Sequence, residues 1–149
     1  MTLFFCTFEA LAYHSRDKLT HLLMNIYLFN TNCVYFLLQA EAFHILVPIT
    51  SREAEAPAAL LKLEAVKKQC LQATTPEKGL EVFSEAASKM SSCPSSQKGG
   101  FLGRFKRGAM VPPFDDAVFA QDTVPGTPVG PVLTMFGAHL IWVKSISNA

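Results

Sequence analysis

Residues 91–114 read SSCPSSQKGGFLGRFKRGAMVPPF, and the punctuation of this stretch is too specific for a linker. Cys93-Pro94-Ser95-Ser96 is turn chemistry, and Gly99-Gly100 opens backbone conformations closed to other residues. Among these flexible and cationic positions stand large apolar groups, Leu102, Phe105, Met110 and Phe114 among them. A solvated loop has no use for that much apolar surface, so the stretch reads as a site or its rim.

Outward from it, the chain supplies a scaffold. Upstream, Leu80, Phe83, Ala87 and Met90 fall on one helical face that ends just before Ser91. Thr75-Pro76-Glu77 opens that helix if Thr75 caps it and Pro76 takes the first position, leaving Gly79 as an internal weakness; otherwise residues 72–79 are a break. Leu60, Leu63, Val66 and Cys70, spaced three, three and four apart, mark an earlier helix. Thr50-Ser51-Arg52-Glu53 has capping-box spacing, but Pro57 demands either a later start or a kink. Before it, Phe43-His44-Ile45-Leu46-Val47 reads as a short buried strand that Pro48 ends.

Downstream, Pro112-Pro113 opens a short helix with Phe114, Ala117 and Val118 toward the core and Asp115 and Asp116 in its first turn. The proline- and glycine-rich segment from Thr123 to Pro131 is expected to be loop until Val132-Leu133-Thr134. Gly137 then separates that piece from Ala138 to Ile146, where apolar residues alternate, and the two runs are expected to pair antiparallel. Early and late strands bracketing helices give an α+β layer structure.

The chain has 149 residues, half of them hydrophobic, enough for one compact core plus an extension. A formal net charge of +1 offers no field that would select nucleic acid, an acidic substrate or an anionic membrane. Cys6, Cys33, Cys70 and Cys93 show neither CxxC pairing nor zinc-type spacing, so free thiols are expected, with no metal site.

Residues 1–42 differ in texture from the rest and are set apart as an N-terminal extension, with the domain at 43–149. No charged residue falls between Lys18 and Glu41, but His21, Asn25, Asn30, Thr31, Asn32 and Gln39 interrupt the uncharged run. Three readings stand: a leader outside the domain, a targeting or anchoring segment, or a buried helix. A membrane enters only if residues 19–40 act as an anchor.

Three groups have the chemistry to act together: His44 in the first strand, Cys93 at the head of the focal stretch and His139 in the last strand. Cys with His invites a nucleophile reading, while separately each is also explained as a satisfied strand histidine or a small buried thiol.

Taken in order, His44-Ile45-Leu46-Val47, Phe83 with Ala87, Ser91-Ser92-Cys93-Pro94-Ser95, Gly99-Gly100-Phe101-Leu102-Gly103, Arg107-Gly108-Ala109-Met110-Val111-Pro112, Phe114 with Ala117 and Phe119, and Phe136-Gly137-Ala138-His139-Leu140-Ile141 resemble the signature of the parvulin-type peptidyl-prolyl cis-trans isomerases. The resemblance spans residues 43 to about 146. It implies the parvulin fold, a four-stranded antiparallel sheet surrounded by about four helices, and rotation about Xaa-Pro bonds of folding proteins without a cofactor. By position it implies Leu102, Met110 and Phe114 as the proline pocket, His44 and His139 as the paired histidines, Thr134 as their hydrogen-bonding neighbour, and Cys93 as the polar group facing the bond that turns. Proline-containing segments of client proteins are the implied partners, with no nucleic acid, a monomeric state, and a cytoplasmic or organellar setting. The alternative is a chaperone or scaffold module that binds such segments without turnover.

The chain departs from the family pattern at Phe101, where an acidic residue is usual, at Ala138, where tyrosine is usual, and at Ser96 in place of a common glycine. Loss of the acidic group is expected to bear on activity or peptide preference. Phosphate-directed parvulins carry a basic cluster after the first strand, whereas here Pro48, Ile49, Thr50 and Ser51 hold no cation and Arg52 stands alone before Glu53 and Glu55, so no preference for phosphoserine-proline or phosphothreonine-proline is expected. Lys98, Arg104, Lys106 and Arg107 form a basic run that fits a solvated loop, a contact for acidic peptide or, third, nucleic acid.

Overall fold

The computed structural model describes residues 38–50 and 55–148. Strand β1 (Leu38–Val47) is followed by helices α1 (Ala56–Leu71) and α2 (Pro76–Met90), a 3-10 turn (Pro94–Lys98), β2 (Phe101–Lys106), α3 (Pro112–Val118), β3 (Thr127–Thr134) and β4 (Gly137–Asn148). The four strands form one sheet in the order β2-β1-β4-β3, with every neighbouring pair antiparallel. Among the described residues three α-helices and one 3-10 turn pack around it, where about four helices were expected.

Period-two alternation sorts the two central strands into two unlike faces. On one, Ile45, Ala138, Leu140 and Trp142 meet Leu63 and Val66 of α1 and Phe83 and Ala87 of α2 in a continuous apolar core. Gly79 belongs to this packing, because a Cβ there would run into the Trp142 ring. Its cost to helix propensity is offset by letting α2 approach the sheet closely. On the other face, Ala40, Ala42, Ile141 and Val143 lie under Phe105, Phe114, Val118 and Phe119. The small alanines leave room there for α3 and its aromatic residues.

Two helix starts follow local chemistry. Thr75 caps α2 through its hydroxyl, which accepts the Lys78 N–H at 3.4 Å, with Pro76 in the first turn. Helix α1 begins at Ala56 with Pro57 in its first turn, which resolves the Pro57 conflict in favour of the later start. The capping-box residues 51–54, the extension through residue 37, and Cys6 and Cys33 lie outside the described residues.

Two strand boundaries correct the sequence reading. Strand β1 begins at Leu38 rather than Phe43, so the expected division after residue 42 falls inside it: Gln39 to Glu41 pair with both β2 and β4. The run Gln39-Ala40-Glu41-Ala42 lacks β-branched residues, and its strand state comes from tertiary pairing rather than propensity. Strand β3 begins at Thr127, not Val132, despite Pro128 and Pro131. It is an edge strand whose ladder is interrupted between Val129 and Val132, so the missing proline N–H groups cost little. The Gly130 carbonyl beside that irregularity accepts a hydrogen bond from Lys67 Nζ of α1 at 2.5 Å.

Candidate active site

His44 lies two residues beyond Ala42 in β1 and His139 two before Ile141 in β4, so both side chains project onto the α3 face. His44 faces Ile141 in the ladder and His139 faces Leu46, which sets the histidines diagonally across two hydrogen-bonded strands. Their rings stack at 5.4 Å between centroids with Nδ1 atoms 3.3 Å apart, and both residues are buried. Gly100, with φ of +85°, lets β2 close on this point: its carbonyl accepts the His44 N–H at 2.9 Å, and a Cβ on it would collide with the His44 carbonyl.

The outer nitrogens extend the pair into a chain. His44 Nε2 is 3.1 Å from Ser95 Oγ, and His139 Nε2 is 2.8 Å from Thr134 Oγ1. One direction of donation uses every contact: the Ser95 hydroxyl donates to His44 Nε2, His44 Nδ1–H to His139 Nδ1, and His139 Nε2–H to Thr134 Oγ1. The Thr134 hydroxyl then donates to the Gly137 carbonyl at 3.4 Å while its oxygen accepts the Phe136 N–H at 3.1 Å. Both imidazoles are neutral in this arrangement. Burial holds the pKa of each ring down at about 4, with His44 as a second, smaller cause for His139. No buried side-chain nitrogen or oxygen among the described residues lacks a partner.

Phe114 forms the wall common to both rings, edge-on to His44 at 5.9 Å and to His139 at 5.6 Å. Half-buried Leu102 and Met110 pack against the cluster that holds Phe114, so the three expected pocket residues share one apolar surface. Asp115, expected in the first turn of α3, is buried as well, and its carboxylate accepts the Gly108 N–H at 2.9 Å. That bond ties the turn preceding Met110 to the helix bearing Phe114. An aspartate in the first turn after a double proline is a common helix-start residue, so nothing local marked this second task.

Cys93 stands at the head of the 3-10 turn, half-buried, with its N–H directed to Ser91 Oγ at 3.4 Å. Ser91 Oγ also accepts the Leu46 N–H at 3.1 Å, and the Ser92 N–H bonds the Leu46 carbonyl at 2.9 Å, which fixes the loop to the end of β1. The thiol forms no hydrogen bond among the described residues; Ser95, two residues on, is the group that reaches the histidines. Ser95 was legible only as turn chemistry, because hydroxyls at such positions usually serve their own backbone. Cys70, by contrast, is core, with burial pushing its thiol pKa up to about 11.

Phe101 proves to be on the other face. It precedes Leu102 in β2 and packs on Phe43 at 4.9 Å between centroids, and Phe43 lies against the α1–α2 core. The position where an acidic residue is usual therefore points away from the Leu102 surface. The basic run is also dispersed: Arg104 joins Lys144 on the Glu41 carboxylate at 3.5 and 2.6 Å, and the Arg107 guanidinium lies 5.9 Å from the centre of the Phe119 ring. An open recess of about 400 Å³ lies beside the histidines rather than over them, between the end of α3 and β3, lined in part by Ala117, Val124, Val129 and Val132.

A four-stranded antiparallel sheet with buried stacked histidines, a threonine on one and an aromatic-aliphatic surface beside them defines the rotamase class of peptidyl-prolyl isomerase domains. The comparisons agree: the family model of the PpiC-type PPIase domain, Rotamase, matches residues 44–145, and the chain belongs to this parvulin family. It is 37% identical over 110 residues to the peptidyl-prolyl cis-trans isomerase pin1 of Rhizopus delemar, covering 69% of this chain and 71% of that one. It is 35% identical over 105 residues to the foldase protein PrsA of Exiguobacterium sibiricum, covering 70% of this chain but 29% of that one. A crystal structure of a PpiC-type peptidyl-prolyl cis-trans isomerase domain superposes with a TM-score of 0.64 at 18% identity, over 77% of this chain and 96% of the other. Against four curated relatives, PrsA among them, the chain spans between 21% and 36% of their length.

Proposed function

We propose that the domain accelerates rotation about Xaa-Pro bonds in folding polypeptides by non-covalent stabilisation of the twisted amide. The observation that carries this is the buried, neutral His44–His139 pair walled by Phe114. Rotation faces a barrier of roughly 20 kcal/mol because the planar amide must lose its resonance. A catalyst of this step needs no bond to break. It must bind the twisted amide better than either planar isomer.

In this reading Leu102, Met110 and Phe114 hold the proline ring, which is rigid and apolar, while the preceding carbonyl swings over the histidines. His44, His139, Thr134 and Ser95 form a fixed row of dipoles, each donor already committed to its neighbour, so no reorganisation is required as the amide twists. Cys93 tunes the polarity at the edge of that row. A variant series tests this last role: if Cys93→Asp retains the full rate and Cys93→Ala does not, the side chain acts by its polarity and attack by sulfur is ruled out.

The same reading gives no advantage to phosphorylated substrates. In support, the described residues just past β1 offer a carboxylate and no cation, Glu55 accepting the N–H and hydroxyl of Thr50. A rate advantage for phosphoserine-proline over unmodified serine-proline would overturn it. The domain is expected to act as a monomer on proline-containing segments and to bind no nucleic acid, the described basic side chains being spread over several sites rather than gathered on one.

The alternative is a chaperone or scaffold module that binds such segments without turnover. Exchange spectroscopy on Xaa-Pro tetrapeptides, with and without the protein, decides between them. Acceleration that is lost in His139→Ala and Met110→Ala supports isomerisation, and saturable binding without acceleration assigns the scaffold.

A further inference from the structure

The two-residue tip of the β3–β4 hairpin carries Met135 and Phe136, which are 78% and 54% exposed. Hairpin tips of this length ordinarily hold Asn, Asp or Gly, because those residues suit the turn and keep it soluble. Two adjacent large apolar side chains in water therefore call for a binding partner.

The tip is fixed at both sides. The Phe136 N–H bonds Thr134 Oγ1 at 3.1 Å, the same oxygen that lies 2.8 Å from His139 Nε2. On its other side Gly137, with φ of +138°, lies so close to the Val47 carbonyl that a Cβ would have no room, which brings the tip to the end of β1, where Pro48 and Ile49 follow. The apolar tip is thus continuous with the histidine chain through one shared oxygen. Among the described residues at this exit of β1, the Glu55 carboxylate accepts the N–H and hydroxyl of Thr50.

We infer that Met135 and Phe136, joined to the histidine pair through Thr134, form a second, apolar subsite that takes a large apolar side chain next to the proline of the bound segment. The inference rests on the isomerase reading of the same site and adds its sequence preference. An unfolded chain offers such neighbours often, and a native surface offers them rarely, so the subsite would bias the domain toward segments still awaiting burial.

The test uses two sets of proline tetrapeptides, varied as Ala, Leu or Glu at the residue before proline in one and after it in the other, with kcat/KM measured by exchange spectroscopy. The expected result is a preference for Leu over Glu at one of these positions that falls by about tenfold in Phe136→Ser, the scale expected for partial loss of a leucine-sized contact. Phe136→Leu should restore it, and Leu61→Ser, at another exposed apolar site, on α1, should leave it unchanged. Every one of these variants retains its backbone N–H, so the bond to Thr134 survives. No preference in the wild-type protein, or a preference untouched in Phe136→Ser, overturns the subsite. Should the wild-type protein turn over no peptide, the isomerase reading fails, and the subsite is judged by amide shifts of residues 135–137 on titration: saturation by the Leu peptide and not the Glu peptide supports it. Shifts that follow protein concentration instead assign the tip to a second copy of the chain and overturn it.

Discussion

The two faces of the sheet are built from the same strands, yet one is all apolar and the other carries a row of buried polar groups. Under α1 and α2, Ile45, Leu140 and Trp142 interlock with Leu63 and Phe83, and among the described buried residues the Cys70 thiol is the one titratable group there. Under α3, His44 and His139 occupy equivalent inward positions one residue away in each strand. A one-residue step along a strand moves a side chain from one face to the other, so β1 and β4 do two jobs without added length. The first face supplies cohesion. The second gives up some of it to keep two imidazoles dry, neutral and oriented.

If that division is right, changes on the two faces should have separate readouts. The largest effect is expected from Phe83→Ala, which opens a cavity in the apolar face. It should lower unfolding free energy by about 3–5 kcal/mol in urea titrations while the rate per folded molecule stays within about twofold. A comparable loss of rate would break the comparison. Next, replacing both histidines together, His44→Leu with His139→Leu, should cut kcat/KM by about a hundredfold or more and leave stability within about 1 kcal/mol, since Thr134 keeps its backbone partners and half-buried Ser95 can turn to water. Strong destabilisation would show the pair to be structural.

Acid sharpens the same contrast. Folding lowers both histidine pKa values to about 4, so below the usual imidazole value of about 6.5 the unfolded chain binds more protons than the folded one. Their contribution to stability is therefore complete above about pH 6.5 and is lost progressively toward pH 4. The midpoint of urea unfolding should fall over that window, and the double leucine variant should lose this part of the slope. Activity should show no histidine inflection between pH 6 and 8. The smallest effect is expected from Phe101→Asp, which restores the residue type usual in the family: stability should drop by about 1 kcal/mol through loss of the Phe43 contact, with kcat/KM changed less than about twofold.

How much of this was legible in the sequence depended on the kind of signal. Helices α1 and α2 and strand β4 announce themselves because their apolar spacing matches one period throughout. His44, Cys93 and His139, and the apolar Leu102, Met110 and Phe114, stood out as residue types, but the roles assigned to them, and Thr134 altogether, came from the ordered blocks of the family pattern, which local periodicity alone does not supply. Residues 38–42 and 127–131 were missed because their strand state is imposed by neighbours, through pairing on both sides for the first and an edge position for the second. Ser95 and Asp115 were visible as residues but not as partners, since their bonds reach across 51 residues in one case and sideways out of a helix start in the other. Phe101 was assigned to the rim for want of a register. Once Phe43 is known to lie beside it, alternation alone places it on the far side.

The Lys67 ammonium on the Gly130 carbonyl has a consequence beyond α1. Under the proposed function the domain would work among extended strands with unpaired amides, the very objects that add themselves to an open sheet and seed cross-β growth. At the β3 edge, Pro128 and Pro131 withhold two donors and Lys67 occupies an acceptor, so an incoming strand meets a broken template. At that edge, a fifth strand finds no continuous ladder to extend.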